Sequence, residues 1–527
     1  MGPFERNAVL CVRDWSGTGQ EAVMGEAPAV AIDDRQRVAV AAIESGAATG
    51  DRRPLRRIDT HMSHLFLGPE RVYKLKRSVR HAFGDMSSIE ARRKACEAEL
   101  EVNRRLAPEL YERVLPVVRD PGGDLRVGGE GQIEDWVVVM RRFPDEALFA
   151  EMADAGVLGP ELIGEAAAVI ARFHASLPPL EQAGHAVDYR RITEGLRRTE
   201  AEGAAALGVT PASESLFDAL DRATVRLSPV IEARREAGWV RRGHGDLHLR
   251  NICVFNGRAT PFDALEFDPA LASADVLYDL SFLLMDLRAR GLDDLANVAM
   301  NTYWDASGQP EEALVLLPLF MALRAAVRMA VAVEAGDLVE SEAYRVLGRR
   351  LLQLSPPSLL ALGGLSGTGK STVARAVASG LSGCCGARVL RTDTIRKRLA
   401  KIAPDHRLAD EAYGFGARAR VYDVLADDAR KTLAAGVSVI ADATFREASL
   451  RAEIEGAAEG FDFRGLWLSA SAKVRAARVA LRRGDASDAT VETALGQVEP
   501  HAVGAWEIVD ADRPLASVIK DVRHRAH

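Results

Sequence analysis

The chain has 527 residues, 48% of them hydrophobic and 27% charged, with a formal net charge of −7. That much apolar chain excludes wholesale disorder, and at ~150 residues per domain the length suggests about three domains. The arginine pairs Arg104-Arg105, Arg197-Arg198 and Arg349-Arg350 are scattered, not pooled into a stripe, which disfavours a nucleic-acid partner.

The five cysteines, Cys11, Cys96, Cys253, Cys384 and Cys385, form no CxxC pair, so neither a disulfide framework nor a zinc cluster is expected. The first residues, MGPFERNAVLCVRDW, lack the basic start and apolar core of a signal peptide. The most apolar stretch, Ala313 to Val333, is interrupted by Pro318, Arg324 and Arg328, which predicts a buried helix pair and no membrane span. A reducing cytoplasm is the expected compartment. Only nine residues are lysine, so each lysine invites a question.

In chain order, residues 1–50 are Gly- and Ala-rich and form no recognisable unit. A strand is expected at His64–Leu67, a turn at Gly68-Pro69, and a second strand at Arg71–Lys76. Apolar residues at helical spacing (Ile89, Cys96, Leu100, Leu106) predict a helix over Ser88–Leu106. The segment Gly122–Gly131 reads as a turn between short strands, and Val137–Met140 as the strand closing a first lobe. From Phe149 to Leu354 the pattern is mostly helical, apart from a strand and loop region at Arg241–Pro269. Ser355-Pro356-Pro357-Ser358 reads as a linker. Beyond it, apolar strands at Leu359–Leu362, Arg388–Leu390, Val437–Ala441 and Gly465–Leu468 alternate with helices, which predicts βαβ units on a parallel sheet.

Two segments carry chemistry. His244-Gly245-Asp246-Leu247-His248-Leu249-Arg250-Asn251 has the H-x-D-x-x-x-x-N spacing of a kinase catalytic loop. There Asp246 would orient an acceptor hydroxyl and take its proton, while Asn251 would hold Mg²⁺. Asp263, ending the short strand at Pro261-Phe262, is placed as a second metal ligand. Upstream, alternation puts Lys74 and Lys76 on one strand face, either one able to clamp phosphates with Glu99 as its ion-pair partner. Lys74 is preferred, because Val72 would then roof the adenine.

The second segment, Gly364-Leu365-Ser366-Gly367-Thr368-Gly369-Lys370-Ser371, fits G-x-x-x-x-G-K-[ST] between an apolar strand and a helix that continues through Thr372. Its backbone would cradle phosphates, with Lys370 on the β- and γ-phosphates and Ser371 on Mg²⁺. Asp393 and Asp442 follow the next two strands, at the end of a parallel sheet where ligands bind. Asp442 would join the Mg²⁺ shell and Asp393 would accept an acceptor proton; the alternative for both is helix capping. Arg475, Arg478, Arg482 and Arg483 share one predicted helix and would close over ATP as a lid, or simply face solvent. A near-copy of the loop, Ser16-Gly17-Thr18-Gly19-Gln20, lacks the lysine and hydroxyl and reads as coincidence.

On these residues, 51–350 resembles the aminoglycoside phosphotransferase and choline kinase-like branch of the protein-kinase fold. The resemblance implies an α+β two-lobed domain, with an N-lobe at 51–145, a C-lobe at 146–350, and a hinge at Met140–Phe143 where Met140 and Arg142 offer backbone groups to adenine. No glycine-rich loop precedes the lysines; Thr60-His61-Met62-Ser63-His64 stands there, with Ser63 as a substitute phosphate donor. No activation segment of the protein-kinase kind is present, which disfavours protein substrates, and Asp279 reads as a structural brace. After the linker at 351–358, residues 359–527 resemble small P-loop kinases of the gluconate kinase, chloramphenicol phosphotransferase and zeta-toxin type, an α/β domain with a parallel sheet. The order of the halves resembles bacterial fusions of an aminoglycoside phosphotransferase-like domain with a P-loop ATP-binding domain. Both resemblances imply ATP and Mg²⁺ as cofactors and small hydroxylated acceptors of the sugar, aminoglycoside or amino-alcohol class. The competing readings are a kinase regulated by a nucleotide-sensing P-loop domain, and a toxin-like or nucleic-acid end kinase in the second half.

Overall fold

The computed structural model describes residues 34–526 apart from 61, 82–83, 267–271, 354, 403–405, 407, 409–413, 482–486 and 489. His61, Pro269, Leu354, Arg482, Arg483, Cys11 and the Ser16–Gln20 segment lie outside the described residues. The rest forms two compact units: the chain up to Ala289 together with Leu319–Leu352, and Arg290–Pro318 together with the chain from Gln353 onward.

The first unit opens with a six-stranded antiparallel sheet. Its strands lie in the order Arg56–Asp59, Ser63–Leu67, Arg71–Lys76, Gln132–Arg141, Tyr111–Arg119 and Leu125–Val127. The segment expected to be a plain turn at Gly122–Gly131 thus contains a strand of its own, which pairs with Val117–Arg119. Alternation along Arg71–Lys76 sorts the side chains. Tyr73 and Leu75 enter a core with Phe66, Val137 and Val139, so Lys74 and Lys76 point to the opposite face. Helix Ile89–Asn103 is capped by Ser88, whose Oγ accepts from Ala91 N at 3.1 Å, and places Cys96 in a second core with Val138 and Met140.

Part of the unassigned N-terminal stretch belongs to this lobe. Helix Asp34–Glu44 buries Ala39, Val40 and Ile43 against Phe66 and Leu75. Gln36 donates to Asp135 Oδ2 and to the Lys76 carbonyl, both at 2.9 Å, and accepts from Ser78 N at 2.7 Å. Eleven residues with a weak apolar stripe give no sequence signal; the partner surface selects the helix.

The helical part contains Pro160–Ser176, Ala186–Ala206, Glu214–Glu236, Val276–Ala289, Leu317–Glu334 and Leu338–Leu352. The stretch expected to be a helix pair is a 3₁₀ turn, Glu311–Leu316, continuing into one long helix. Glu311–Glu334 has the length and hydropathy of a membrane span, yet 89% of its most apolar window is buried within the fold, as in a core helix. Arg324 is accommodated there because its guanidinium stacks on the Tyr278 and Phe282 rings at 3.9 and 4.7 Å.

The second unit holds a five-stranded, all-parallel sheet in the order Arg388–Arg391, Val439–Asp442, Ser358–Gly363, Asp462–Ser469 and Glu507–Asp510. Leu359 and Ala361 pack into one core and Leu360 and Leu362 into the other, so the central strand is covered on both faces. The fifth strand, Glu507–Asp510, escapes sequence detection because only Val509 in it is buried. Residues 290–318, expected within the C-lobe, pack on this unit instead. Asn297 Nδ2 donates to the Cys385 and Ala387 carbonyls at 2.8 and 2.9 Å, and Val389 N donates to Asn301 Oδ1 at 2.8 Å. Buried Arg388 pairs with Glu311 at 3.1 Å and Asp305 at 2.7 Å. Helical periodicity says that a segment is a helix but not which body it packs against.

Candidate active sites

In the first unit, strand, helix and loop converge on a cavity of about 220 Å³. Lys74 Nζ donates to Glu99 Oε1 at 2.7 Å and to Asp263 Oδ1 at 2.6 Å. Lys76 Nζ lies 2.5 Å from Glu99 Oε2 and also pairs with Glu266. Glu99 is wholly buried. Burial alone would raise its pKa, but the two ammonium groups outweigh that and hold the carboxyl below its usual range. Burial opposes the charge on Lys74 as well, and Asp263 and Glu99 reverse the effect, keeping it firmly protonated. Of the two lysines, only Lys74 joins the helix carboxylate to Asp263; Lys76 joins it to Glu266, a residue the sequence reading did not single out.

Asp263 sits at φ +62°, a left-handed conformation unusual for a residue with a side chain. Its turn is held by neighbours: Asp263 N donates to the Tyr111 hydroxyl at 3.2 Å, and Ala264 N to Asn103 Oδ1 at 2.8 Å. The loop at His244–Asn251 is held just as firmly. His244 and Gly245 both donate their backbone N–H to Asp279, at 2.7 and 2.8 Å, and His244 Nε2 donates to the Phe262 carbonyl at 2.9 Å. Gly245 has φ +84°, and a Cβ on Gly243 would stand 2.5 Å from Asp279 Oδ2. Asp279 also pairs with His174 at 3.0 Å. Burial would raise its pKa, but that hydrogen bond, with His174, His244 and Arg324 nearby, holds it at about 2. Asp279 is thus a brace, as its sequence context suggested. Asp286, on the same helix, accepts from Leu249 N at 3.0 Å.

The braced loop presents Asp246 and Asn251 to the cavity. Asn251 Nδ2 donates to Asp246 Oδ2 at 3.0 Å and to its carbonyl at 2.9 Å. Asp246 is held below the usual carboxylate range: burial works against this, and the charges of His248, His244 and Arg324 outweigh it. Val72, Met140 and Phe262 supply apolar lining. Arg142 also lines the cavity, but its N–H donates to the Glu70 carbonyl and its guanidinium to Gly68 O, at 2.9 and 2.8 Å. Its donors close the neighbouring turn, so the Arg142 N–H is not among the backbone groups left for adenine. Ser63 Oγ is buried at the cavity wall without a hydrogen-bond partner among the described residues, a polar group suited to a phosphate oxygen. Asn251 and Asp263 offer oxygen donors of the kind Mg²⁺ prefers.

In the second unit a cavity of about 970 Å³ lies at the carboxyl ends of the parallel strands. The loop from Gly364 leads into helix Lys370–Ala378, with Ser366, Gly367, Thr368, Gly369, Ser371 and Thr372 on the cavity wall. Gly364 and Gly367 have φ +142° and +85°, and a Cβ on them would meet the Leu468 and Arg475 carbonyls at 2.4 and 2.6 Å. Only glycine permits that approach. Lys370 Nζ donates to the Leu365 carbonyl at 3.0 Å, folded over its own loop. Ser371 Oγ donates to Asp442 Oδ2 at 2.5 Å. A hydroxyl and a carboxylate this close suit a shared Mg²⁺ shell. Asp442 ends its strand and caps no helix, and Asp393 lies in the first turn of Thr392–Ala400, whose N-cap is Arg391. Asp393 accepts from Arg396 at 2.9 Å and lines the cavity.

The arginine helix divides. Arg478 donates to the Thr368 and Ala511 carbonyls at 3.0 and 2.8 Å, bracing the loop from its rim. Arg475 is buried and donates to Ala470 and Gln497 carbonyls, which corrects its expected place in a lid. Arg482 lies outside the described residues. Two contributors escaped the sequence reading: Gln497, accepting from Ser366 N at 2.8 Å, and Arg391, within 3.1 Å of Ser371 Oγ and 3.3 Å of Asp442 Oδ2. Neither belongs to a motif, though Arg391 ends its strand directly before the Thr392-Asp393 pair that opens a helix.

A family model described as a phosphotransferase enzyme family matches residues 70–313, and one described as an AAA domain matches 359–501. Uncharacterized proteins of Mycobacterium tuberculosis and Mycobacterium bovis are each 31% identical over 460 residues, covering 83% of this chain and 88% of theirs. Among solved structures, a choline/ethanolamine kinase family protein from Mesorhizobium loti is 14% identical, with 60% of this chain and 93% of that one covered at a TM-score of 0.36. A gluconokinase from Sinorhizobium meliloti is 23% identical, with 33% and 92% covered at a TM-score of 0.24.

Proposed function

We propose, from the premise that this chain belongs to the family of those mycobacterial proteins and is a phosphotransferase built of two kinase-like, nucleotide-binding domains, that both units transfer the γ-phosphate of Mg-ATP to hydroxyl groups of small molecules. The observation that carries this reading is Lys74, whose ammonium group ties Glu99 to Asp263, 25 and 189 residues away, beside the Asp246–Asn251 pair. A buried ammonium shared by two carboxylates from distant segments is the kind of perturbed titratable cluster that gathers at functional sites.

In the first unit Lys74, oriented by Glu99, grips the nucleotide phosphates, and Ser63 adds a donor. Asn251 and Asp263 hold the metal, which neutralises charge on the transferring phosphoryl group when bound. Asp246 orients the acceptor hydroxyl and takes its proton. In the second unit the loop N–H groups and Lys370 hold the phosphates, Ser371 and Asp442 hold the metal, and Asp393 receives the acceptor proton. Both reactions proceed by positioning and electrostatics, without a covalent enzyme intermediate. Sugars, aminoglycosides and amino alcohols are the proposed acceptor classes, and the cytoplasm, where ATP is abundant, is the proposed compartment.

The test is mass spectrometry of phosphorylated products after incubation with Mg-ATP and a panel of those acceptors. Asp246→Ala should remove one product and Lys370→Ala another, each by about 10²–10⁴-fold, the scale of a lost general base or phosphate-holding charge. If Lys370→Ala removes none, the second unit binds nucleotide without turnover and the bifunctional reading fails.

A further inference from the structure

The geometry points to His248 as the positioning residue of Asp246, an inference that rests on the phosphotransfer reading of the first unit. A carboxylate that is to take a proton must present one oxygen to the acceptor and have the other immobilised. Asp246 Oδ2 is held from one side by Asn251 Nδ2 at 3.0 Å. From another side His248 Nε2 approaches the same oxygen at 3.4 Å. The two contacts fix the rotation of the carboxyl group about its Cβ–Cγ bond and direct Oδ1 toward the acceptor.

The imidazole is itself fixed. Its ring stands edge-to-face on Phe282, with centroids 5.2 Å apart and planes at 76°, and its side chain is only 12% exposed. Phe282 lies on helix Val276–Ala289, the element whose Asp279 holds the His244 and Gly245 amides and whose Asp286 holds the Leu249 amide. One helix thus sets the backbone of the loop through two carboxylates and the orientation of its histidine through an aromatic ring. His248 Nδ1 is buried without a hydrogen-bond partner among the described residues. A histidine kept for packing would satisfy that nitrogen or be an apolar residue, because burying an unpaired ring nitrogen is unfavourable. The polar contact it does make is to Asp246. Local backbone supports the same view: His248 N donates to the Asp246 carbonyl at 3.1 Å, a tight turn that keeps the two residues together just before the 3₁₀ turn Leu249–Asn251, whose last residue contacts the same carboxylate.

The experiment uses the full chain carrying Lys370→Ala, which silences the second unit. It measures ATP hydrolysis, with water as the acceptor, together with ATP affinity by calorimetry and the melting temperature. His248→Ala should lower kcat about 10- to 100-fold, the loss expected when a charge-assisted contact that orients a reacting group is removed, with KM for ATP within about twofold of the parent. His248→Gln, whose amide reaches the same oxygen, should recover most of that rate. An unchanged kcat in His248→Ala overturns the inference, and so does a loss that His248→Gln fails to recover, since packing alone would then explain it. Asp246→Asn separates this from the underlying reading. If hydrolysis survives Asp246→Asn, or no Asp246-dependent hydrolysis exists, the phosphotransfer reading fails and the inference falls with it.

Discussion

The two sites gather phosphate-handling groups by different physics. In the second unit a loop of eight residues, Gly364 to Ser371, supplies the amides, the lysine and the hydroxyl, while Asp442, Asp393, Arg391 and Gln497 come from elsewhere. Its curvature is enforced by glycines pressed against carbonyls, so the site is largely a property of local chain geometry. In the first unit no segment carries more than a fragment. Lys74, Glu99, Asp246 and Asp263 come from a strand, a helix and two loops, and they are held by carboxylate braces and buried ion pairs. A local site borrows rigidity from backbone; a dispersed one must make it from side chains, and the groups of the candidate site are then also structural.

That contrast can be broken most directly at Glu99. Glu99→Ala leaves two buried ammonium groups without their shared partner and should destabilise the first unit by about 3–5 kcal/mol in urea unfolding. Lys370→Ala should remove the second product yet move the unfolding midpoint far less. Comparable losses of stability in both variants would erase the distinction.

A second test uses pH. Asp279 has a pKa of about 2 in the fold, below an ordinary aspartate, so its contribution is complete above about pH 4 and is lost as pH falls toward 2. Asp279→Asn should therefore flatten the acid side of the stability–pH curve by about 2 kcal/mol. A curve unchanged in shape would mean that Asp279 does not brace the His244–Asn251 loop through its charge. The smallest effect is expected at Ser88, whose hydroxyl caps the helix that carries Glu99. Ser88→Ala should cost about 1 kcal/mol in thermal or urea unfolding and leave product formation in the second unit intact.

Much of the molecule was legible in the residues. Strand Arg71–Lys76, helix Lys370–Ala378 and the parallel strands at Ser358–Gly363 and Arg388–Arg391 lie where period and punctuation place them. Those signals are local, and local sterics and burial produce them. The pairing of Lys74 with Glu99 was legible too, because alternation and a following helix limit the choices. Less legible were Arg391, Gln497, Glu266 and the engagement of the Arg142 N–H by Glu70, each decided by where a long side chain or an N–H finds its partner.

By itself the sequence determined two kinase-like, nucleotide-binding domains, their order along the chain, and the residue types of their candidate sites. Motif spacing and amphipathic period are written in neighbouring residues, so no partner surface is needed to read them. Only the tertiary structure decided that helix Asp34–Glu44 completes the first lobe, that residues 290–318 pack with the second unit, and that Lys74 alone bridges Glu99 and Asp263. Those outcomes depend on which apolar faces and buried charges meet across long separations, and burial makes such meetings decisive because an unmatched charge or face cannot be left inside.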